Sequence, residues 1–408
     1  MTLLVAGPEA RTTPSPAGRV AAADAWPRAQ RADFDPALPD GPLFTPLLFL
    51  DATTALGTAP TPDARWVRVL LWHRGAGASN NGRANTGGGA NSNDDTLREL
   101  RRLPLEGNPQ FEAATADGDD LVWTESTDSR RMRIWHAKRG GGGATLVTAD
   151  TGDALFYGNS FDVVIADGRV HWAAAPKAAA SKTAAPKTAA SKAADREGGG
   201  PQHPKLTDIR SVPVGGGNVD IRTEPGEWAM SAWPWLVDER EGRLRNLETG
   251  RDVDVVTSGP EIATCSPVWC RVMVMSGDGL ARIDLMHPDG SQRRRMAGGG
   301  AQTTATGAQA GVAGAQAGAQ TATAGAQAGA QAAVADVAVL DRFELLAETG
   351  PDSDVTGTAT LLAYDAATGR TVVVAPDVDG AFTGAGMLWW STGGDDSITW
   401  HALDLRTV

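Results

Sequence analysis

The stretch Phe161–Ala173, FDVVIADGRVHWA, places two β-rich runs on either side of Asp167-Gly168. An Asp-Gly pair readily adopts the positive φ values of a two-residue type I′ turn, whose twist matches that of the strands it joins. The stretch therefore predicts a β-hairpin. Because apolar and polar residues alternate only loosely in both runs, we expect both faces of this hairpin to be covered.

Weaker copies of this hairpin recur along the chain. The turns in LETGR, HPDGS and AATGR contain Gly250, Gly290 and Gly369, which lie 40 and 79 residues apart, and a 38-residue Ala/Gly/Gln-rich insert fills half of the longer interval. A period near 40 residues with about four short strands per unit is typical of a β-propeller. One such sheet cannot bury both of its faces, whereas a closed ring of sheets can.

The sequence thus predicts an all-β chain that forms a single β-propeller over residues 44–408, after a disordered leader at 1–43. Low-complexity inserts are expected as disordered loops at 75–95, 173–200 and 298–335. The 278 remaining residues correspond to roughly 40 for each of seven blades, or roughly 46 for each of six. We expect seven four-stranded blades, with six as the alternative. Because the chain ends near a predicted strand, we expect Leu47–Leu50 to close one blade.

Three motifs carry a resemblance to known repeats, namely the hairpin IADGRVHW, the turn and strand APTPDARWVRVLL, and the turns LETGR and AATGR. Together they resemble the repeats of TolB-like and WD40-like β-propellers, particularly the divergent ones of high-GC actinobacteria. The chain has no Trp-Asp dipeptide and no Gly-His, so the hydrogen-bonded tetrad of WD40 repeats is not carried over. The resemblance implies a scaffold that binds partners, and it implies no reaction.

Composition limits the class of partner. The net charge of −12 disfavours DNA or RNA, because neutralisation of phosphates dominates such binding. Thirteen Trp against two Tyr and eight Phe indicate flat aromatic packing between blades. The sequence has no run of 18 apolar residues, which is the length that would predict a transmembrane helix. Met1–Ala6 is either a plain leader or the stump of an export segment that begins upstream, so the expected location is the cell envelope in the second case and the cytoplasm otherwise.

Cys265 and Cys270 are the only cysteines, and they flank the turn between the first two strands of the fifth unit. Facing positions across such a turn can bring their Cα atoms to about 5.5 Å, which suits a disulfide. Free buried thiols are the alternative. A zinc site is disfavoured because no His lies within ten residues on either side. A disulfide would indicate an oxidising compartment.

The other polar clusters have simple structural explanations. His136 and His401 occupy similar strand contexts, IWHA and TWHA, which favours a structural role over a catalytic one. Turn chemistry explains the acidic clusters at 117–120, 352–354 and 395–396 better than calcium binding does, because none has the full spacing of a known calcium loop. Four lysines are evenly spaced along one insert, namely Lys177, Lys182, Lys187 and Lys192. A solvated repeat that binds nothing explains them better than an anion-binding surface does. We therefore predict no catalytic, cofactor-binding or metal-binding residue.

Two functions from different classes remain. The first is a non-catalytic scaffold, a monomer that binds a protein or a small ligand at one propeller face. The second is a propeller enzyme, a carbohydrate hydrolase or lyase, which requires paired carboxylates that converge in the central funnel. The residues that line the funnel distinguish the two.

Overall fold

Seven sheets, each built on four antiparallel strands, form a closed ring in the computed structural model, which confirms seven blades rather than six. The structure describes residues 19–75, 95–128, 131–176, 205–277, 279–298, 330–350, 353–394 and 397–408. In each blade we name the strands a to d, from the channel outward. Strand a lines the central channel, and the a–b and c–d turns of all blades lie at one end of it.

The first four blades follow one another along the chain. Blade one comprises Thr45–Asp51, Thr54–Pro60, Trp66–His73 and Thr96–Pro104. Blade two comprises Ala114–Asp117, Asp120–Glu125, Arg133–Lys138 and Gly141–Thr148. Blade three has a divided strand a, Asp153–Ala154 and Val164–Ala166, followed by Arg169–Ala175, Leu206–Pro213 and Asp220–Pro225. Blade four comprises Ala229–Met230, Trp235–Asp238, Arg243–Asn246 and Asp252–Asp254.

The last three blades complete the ring. Blade five comprises Glu261–Cys265, Cys270–Ser276, Gly279–Met286 and Arg294–Gly298. Blade six comprises Ala330–Ala332, Phe343–Glu348, Ala359–Asp365 and Arg370–Val378. Blade seven takes Gly380–Gly384, Met387–Thr392 and Thr399–Asp404 from the C-terminal part of the chain. Single helical turns occur at Ala22–Ala25, Leu105–Gly107, Val339–Arg342, Ser353–Thr356 and Leu405–Thr407. Among the described residues, no helix has the length and apolar character needed to cross a membrane.

The N-terminal segment closes the ring. Arg31–Phe34 pairs with Thr399–Asp404 as strand d of blade seven, and Val20–Ala21 adds a parallel fifth strand to blade six. The expectation of a disordered leader is therefore wrong for residues 19–43, and residues 1–18 lie outside the description. The predicted closing run, Leu47–Leu50, instead belongs to strand a of blade one.

The composition of the closing strand explains that error. Only Phe34 is fully buried in this strand, where its ring meets those of Phe49 and Trp72 edge to face at 5.1 and 5.2 Å. The other three positions are polar or small, with Arg31 and Asp33 exposed and Ala32 partly exposed, as is usual for an outer strand that must not pair with another chain. Such a strand has little apolar signal of its own.

Two insert boundaries also need correction. Strand b of blade three continues to Ala175, because Ala173 and Ala174 are fully buried where neighbouring blades meet. The predicted insert at 173–200 thus begins too early. The insert at 298–335 ends too late, since Ala330–Ala332 is strand a of blade six. The central parts of both inserts, and most of that at 75–95, lie outside the described residues.

Buried tryptophans fill the spaces between blades, as the composition predicts. Trp123, Trp172 and Trp228 are among the largest side chains that are fully buried. Trp172 packs in a cluster with Val122 and Ile134 of blade two. Flat rings suit this position because each can cover a wide area of the neighbouring sheet.

Candidate functional site: a pocket between blades three and four

A pocket of about 500 Å³ opens between blades three and four, at the end of the propeller that carries the a–b turns. Its blade-three wall includes His171, Ser211 and Asp220, and its blade-four wall includes Trp233 and Leu247. This volume falls within the range of small-molecule sites.

The Asp167-Gly168 turn fixes one wall of the pocket. Its two residues have φ values of 51° and 70°, as the type I′ turn requires. The turn sets the register that pairs His171 with Ser211, and Ser211 pairs in turn with Asp220 on strand d. Residues directly opposite in an antiparallel sheet point to the same face, so the three side chains form one polar row.

The other wall comes from the a–b turn of blade four. The Trp233 ring lies against the His171 ring, with centroids 3.8 Å apart and planes inclined by 34°. The indole N–H of Trp233 is buried, and it has no hydrogen-bond partner within the part of the chain that the structure describes. A buried donor without a partner costs about 1–3 kcal/mol, so it needs an explanation.

His171 is uncharged at neutral pH. Burial lowers the pKa of His171 to about 4. Its Nε2 atom lies 3.4 Å from the carbonyl oxygen of Ala166, which is a long contact for a hydrogen bond. A neutral imidazole carries one donor and one acceptor, so His171 can offer either kind of group to a ligand.

Arg169 orients the serine of the polar row. Its Nε and Nη2 atoms donate to the Ser211 hydroxyl oxygen at 3.2 and 3.0 Å, and Nη2 also forms an ion pair with Asp220. Because both lone pairs of the oxygen accept these bonds, the hydroxyl hydrogen of Ser211 remains available to donate.

A second arginine connects the two blades beside the pocket. Arg222 donates from Nη1 to the Leu247 carbonyl oxygen at 2.7 Å and pairs through Nε with Glu224. Arg245 of blade four also pairs with Glu224, at 2.8 Å. The cationic groups near the pocket are thus compensated by carboxylates.

The central channel contains a second group of buried polar residues, which we call the channel latch. It consists of the segment 155–163, which separates the two halves of strand a in blade three, together with Asp336 of blade six. The Asp336 carboxylate accepts from the Ser160 backbone N–H at 2.9 Å and from the Thr383 hydroxyl. Since blades three and six are not neighbours in the ring, this contact crosses the channel.

Asp162 holds the latch segment in shape. Its carboxylate is 1% exposed and accepts from the backbone N–H groups of Tyr157 and Gly158 at 2.9 and 2.7 Å. Burial raises the pKa of Asp162 to about 7, against the opposing effect of these hydrogen bonds, and the nearby charge of Asp336 adds to the increase. Two carboxylates therefore meet in the funnel, but both are engaged in holding backbone and hydroxyl groups.

One histidine row resembles the order nucleophile, base and orienting acid. His401 contacts the Thr392 hydroxyl through Nε2 at 2.9 Å and Asp33 through Nδ1 at 2.7 Å. The three residues lie on strands b, c and d of blade seven, and Trp390 stacks on the His401 ring at 5.3 Å. Because Asp33 belongs to the N-terminal closing strand, we interpret this row as the fastening of the ring.

The turn at 117–120 agrees with the structural interpretation of its acidic residues. Asp119 accepts from the Gly140 N–H at 2.9 Å, and Asp120 contacts His136 at 2.6 Å and Lys138 at 2.7 Å. Across the described ranges, no group of three or more His, Cys, Asp or Glu residues could hold a metal ion. The acidic residues Asp352, Asp395 and Asp396 and the four insert lysines lie outside the description.

The cysteines form the predicted disulfide. Cys265 ends strand a and Cys270 begins strand b of blade five, where the two pair in register. Both are buried. In the chain-entropy view, closing so short a loop contributes roughly 2 kcal/mol to stability.

The sequence did not predict this pocket. His171 lies in the hairpin from which the repeat is recognised, but its contact with Trp233 joins two blades. No local pattern reports a contact between repeats. The one available signal was the Trp-rich turn SAWPWLV of blade four, which suits packing equally well.

The chain has a distant likeness to several solved structures. The chain is similar to the β-propeller domain of the Trilobed protease from Pyrococcus furiosus, at 8% identity over 72% of this chain and 82% of that chain, with a TM-score of 0.38. It is also similar to a puromycin-hydrolyzing peptidase of Mycobacterium tuberculosis (13% identity, 73% of this chain and 52% of that chain, TM-score 0.35). An oligogalacturonate lyase in complex with manganese gives 11% identity over 93% and 98% of the two chains, with a TM-score of 0.30.

These likenesses carry no argument about activity. The chain spans about half the length of the peptidase structure that it matches. No protein-family model matches the chain, and no curated protein does. The finer resemblance to TolB-like or WD40-like repeats therefore stays an expectation from the sequence.

Proposed function

We propose that this chain is a non-catalytic β-propeller that binds a small ligand in the pocket between blades three and four. One observation carries the proposal: a pocket of about 500 Å³ brings the polar side chains of His171, Ser211 and Asp220 together with the Trp233 ring and the apolar Leu247. A few polar groups set in an apolar and aromatic lining are typical of small-molecule sites.

The channel favours this function over the enzyme alternative. A glycosidase or lyase would need carboxylates that are free to act on a substrate. Asp162 and Asp336 instead bind backbone N–H groups and a hydroxyl. Both carboxylates hold the latch segment in place, and this structural role explains their positions without a substrate.

We further propose that the chain acts as a monomer in an oxidising compartment, such as the cell envelope. The disulfide between Cys265 and Cys270 supports this location, because cytosolic reductants keep most thiols reduced. Trapping thiols in the native host with an alkylating reagent tests it. Recovery of the protein with both cysteines alkylated would contradict the oxidising compartment.

The binding function is tested by blocking the pocket. A library of polar metabolites is screened against the protein by ligand-observed NMR, and hits are repeated on Ser211→Phe, which places a ring in the pocket. Ser291→Phe, on an exposed turn of blade five, is the matched control. We expect hits that are lost in Ser211→Phe and kept in Ser291→Phe. Hits that survive in both variants, or no hits at all, would overturn the proposal.

A further inference from the structure

The charges at the pocket between blades three and four limit the class of ligand, given the proposed function on which this step rests. Three charged side chains line the pocket, namely Asp220, Arg222 and Glu248. Asp220 pairs with Arg169, and Arg222 pairs with Glu224. Glu248 is exposed, and no ion pair to it is found among the described residues. Three carboxylates therefore stand against two guanidinium groups, which is an excess of one negative charge.

The excess persists when the ion-pair network is followed further into blade four. Glu224 also pairs with Arg245 at 2.8 Å, and Arg245 pairs with Asp252 at 2.7 Å, which adds one charge of each sign. Arg222 is held in place by Glu224 and by the Leu247 carbonyl oxygen. The whole chain has a net charge of −12, which attracts cations from a distance and repels anions. The pocket therefore favours a positively charged ligand.

His171 gives the pocket a hydrogen-bond acceptor. This side chain lines the pocket, and it is 6% exposed. Its Nε2 atom faces the Ala166 carbonyl oxygen, which can only accept, so the hydrogen of the neutral ring is assigned to Nε2. Nδ1 then carries a free lone pair, and it has no hydrogen-bond partner within the described ranges. Unlike the Trp233 indole nitrogen, Nδ1 is not fully enclosed, so its lone pair remains accessible.

The remaining lining is apolar. Ile209 and Leu247 are buried, and Ile221 is half exposed. The Trp233 nitrogen is enclosed by protein, so this side chain can offer a ligand only the carbon atoms of its ring. A ligand that matches this lining has an apolar body beside its charged group, which a hydrated metal ion does not have.

We infer that the pocket binds an organic cation, namely a primary amine with an apolar body. One ammonium N–H donates to Nδ1 of His171, and the carboxylates of Asp220 and Glu248 balance the positive charge. An ammonium group suits these partners because it has three donors and no acceptor. The volume of about 500 Å³ accommodates an amine that carries one aromatic ring.

The test uses three probes of similar shape that differ in charge. 2-Phenylethylamine, 2-phenylethanol and 3-phenylpropanoate are titrated at neutral pH by ligand-observed NMR. Glu248→Gln removes the unpaired charge at an exposed position. Glu106→Gln is the matched control, because Glu106 is also exposed and without an ion pair in the described structure, but lies in the helical turn after blade one. His171→Phe keeps a ring against Trp233 and removes the acceptor.

We expect the amine to bind about fivefold more tightly than the alcohol, and the carboxylate to bind more weakly than either. Glu248→Gln should weaken amine binding about threefold, as is usual for an exposed charge, and should leave alcohol binding unchanged. Glu106→Gln should change neither. His171→Phe should weaken the amine and the alcohol alike, because both donate to Nδ1. Thermal unfolding of each variant checks that it is folded.

Two kinds of failure are distinguishable. Equal binding of amine and alcohol, or amine binding that Glu248→Gln leaves unchanged, would overturn the cation assignment. If no amine binds and the metabolites that Ser211→Phe loses are neutral or anionic, the cation assignment is wrong and the binding function stands. A cationic metabolite among those hits would support the assignment. If nothing binds at the pocket, both proposals are wrong.

Discussion

Asp162 and His171 come from the same hairpin and are both buried, but their surroundings differ. Asp162 accepts two backbone N–H groups at 2.9 and 2.7 Å and holds the latch segment across the channel. His171 has one long contact of 3.4 Å to a carbonyl oxygen and lies against an indole whose N–H has no partner in the described chain. The first group is fully hydrogen-bonded within the protein, whereas the second has few hydrogen bonds of its own.

This difference separates structural polar groups from candidate binding groups. Burial alone does not do so, because both side chains lose contact with water. The number of hydrogen-bond partners within the protein does distinguish these two side chains, because an unpaired buried polar group carries a free-energy cost. Such a group is not by itself a binding site, since the Trp135 indole N–H under Arg101 also lacks a partner in the described structure and lies outside the pocket. By the same criterion the Thr392–His401–Asp33 row is structural, like the latch, because both imidazole nitrogens of His401 have hydrogen-bond partners.

The largest effect expected from this comparison is a pH dependence due to Asp162. Because its pKa is raised to about 7 in the folded chain, folded Asp162 holds a proton between pH 4 and 7 that the unfolded chain releases. The free energy of unfolding therefore falls by roughly 4 kcal/mol in total as the pH rises from 4 to 7, and Asp162 changes it little above pH 7. Asp162→Asn removes this titration.

Denaturant unfolding of both proteins from pH 4 to pH 8 measures this effect. The free energy of unfolding of the wild type, relative to Asp162→Asn, should decrease with rising pH. A difference that stays constant over the window would show that Asp162 is ionised throughout, and that its N–H donors outweigh burial.

His171 should produce a somewhat smaller effect in the opposite direction. The pKa of His171 is lowered to about 4 in the folded chain. Between pH 6.5 and 4, His171 is therefore protonated in the unfolded chain but not in the folded chain. The free energy of unfolding is therefore highest above pH 6.5, and it falls by roughly 3 kcal/mol as the pH falls to 4. The cause is desolvation of the imidazolium beside Trp233.

His171→Phe isolates this contribution, because a phenyl ring can keep the contact with Trp233 and cannot be protonated. The wild type should lose stability relative to His171→Phe on acidification, whereas it should gain stability relative to Asp162→Asn. Parallel curves for wild type and His171→Phe between pH 4 and 6.5 would contradict a desolvated His171. Bound ligand that accepts a hydrogen bond from His171 should shift the midpoint of the titration.

Features that repeat along the chain could be predicted from the sequence. The 40-residue period predicts seven blades, and the Asp167-Gly168 turn has the positive φ values that its residue types indicate. The disulfide follows from two cysteines that flank one tight turn. All three depend on contacts within a single sheet, where local pattern and structure coincide.

Features that depend on contacts between sheets could not be predicted. Strand Arg31–Phe34 pairs with residues near the opposite end of the chain, and one buried side chain is too weak a signal for it. Ala173 and Ala174 resemble the insert that follows them, although their small size is what lets the neighbouring blades approach. The pocket and the latch are likewise contacts between repeats, which periodicity does not encode.

The smallest effect, and the sharpest test of the criterion, compares two indole N–H groups. Trp123 Nε1 donates to the buried Glu125 carboxylate at 2.9 Å, whereas Trp233 Nε1 has no partner among the described residues. Replacing either tryptophan with β-(3-benzothienyl)alanine exchanges the N–H for sulfur and keeps the bicyclic shape. The lost bond at Trp123 should lower the free energy of unfolding by about 1–2 kcal/mol. At Trp233 there is no bond to lose, so stability without ligand should change by no more than a few tenths of a kcal/mol.

Both substitutions are made in the full chain and compared by denaturant unfolding, with and without a ligand found by the pocket screen. The ligand should stabilise wild type and both variants alike, because each substitution keeps the bicyclic shape of the ring. A loss of 1 kcal/mol or more at Trp233 without ligand would mean that this N–H already has a partner in the protein, such as an ordered water. The Trp233 N–H would then be as well hydrogen-bonded as the groups of the latch, and hydrogen bonding would no longer distinguish the surroundings of His171 from those of Asp162.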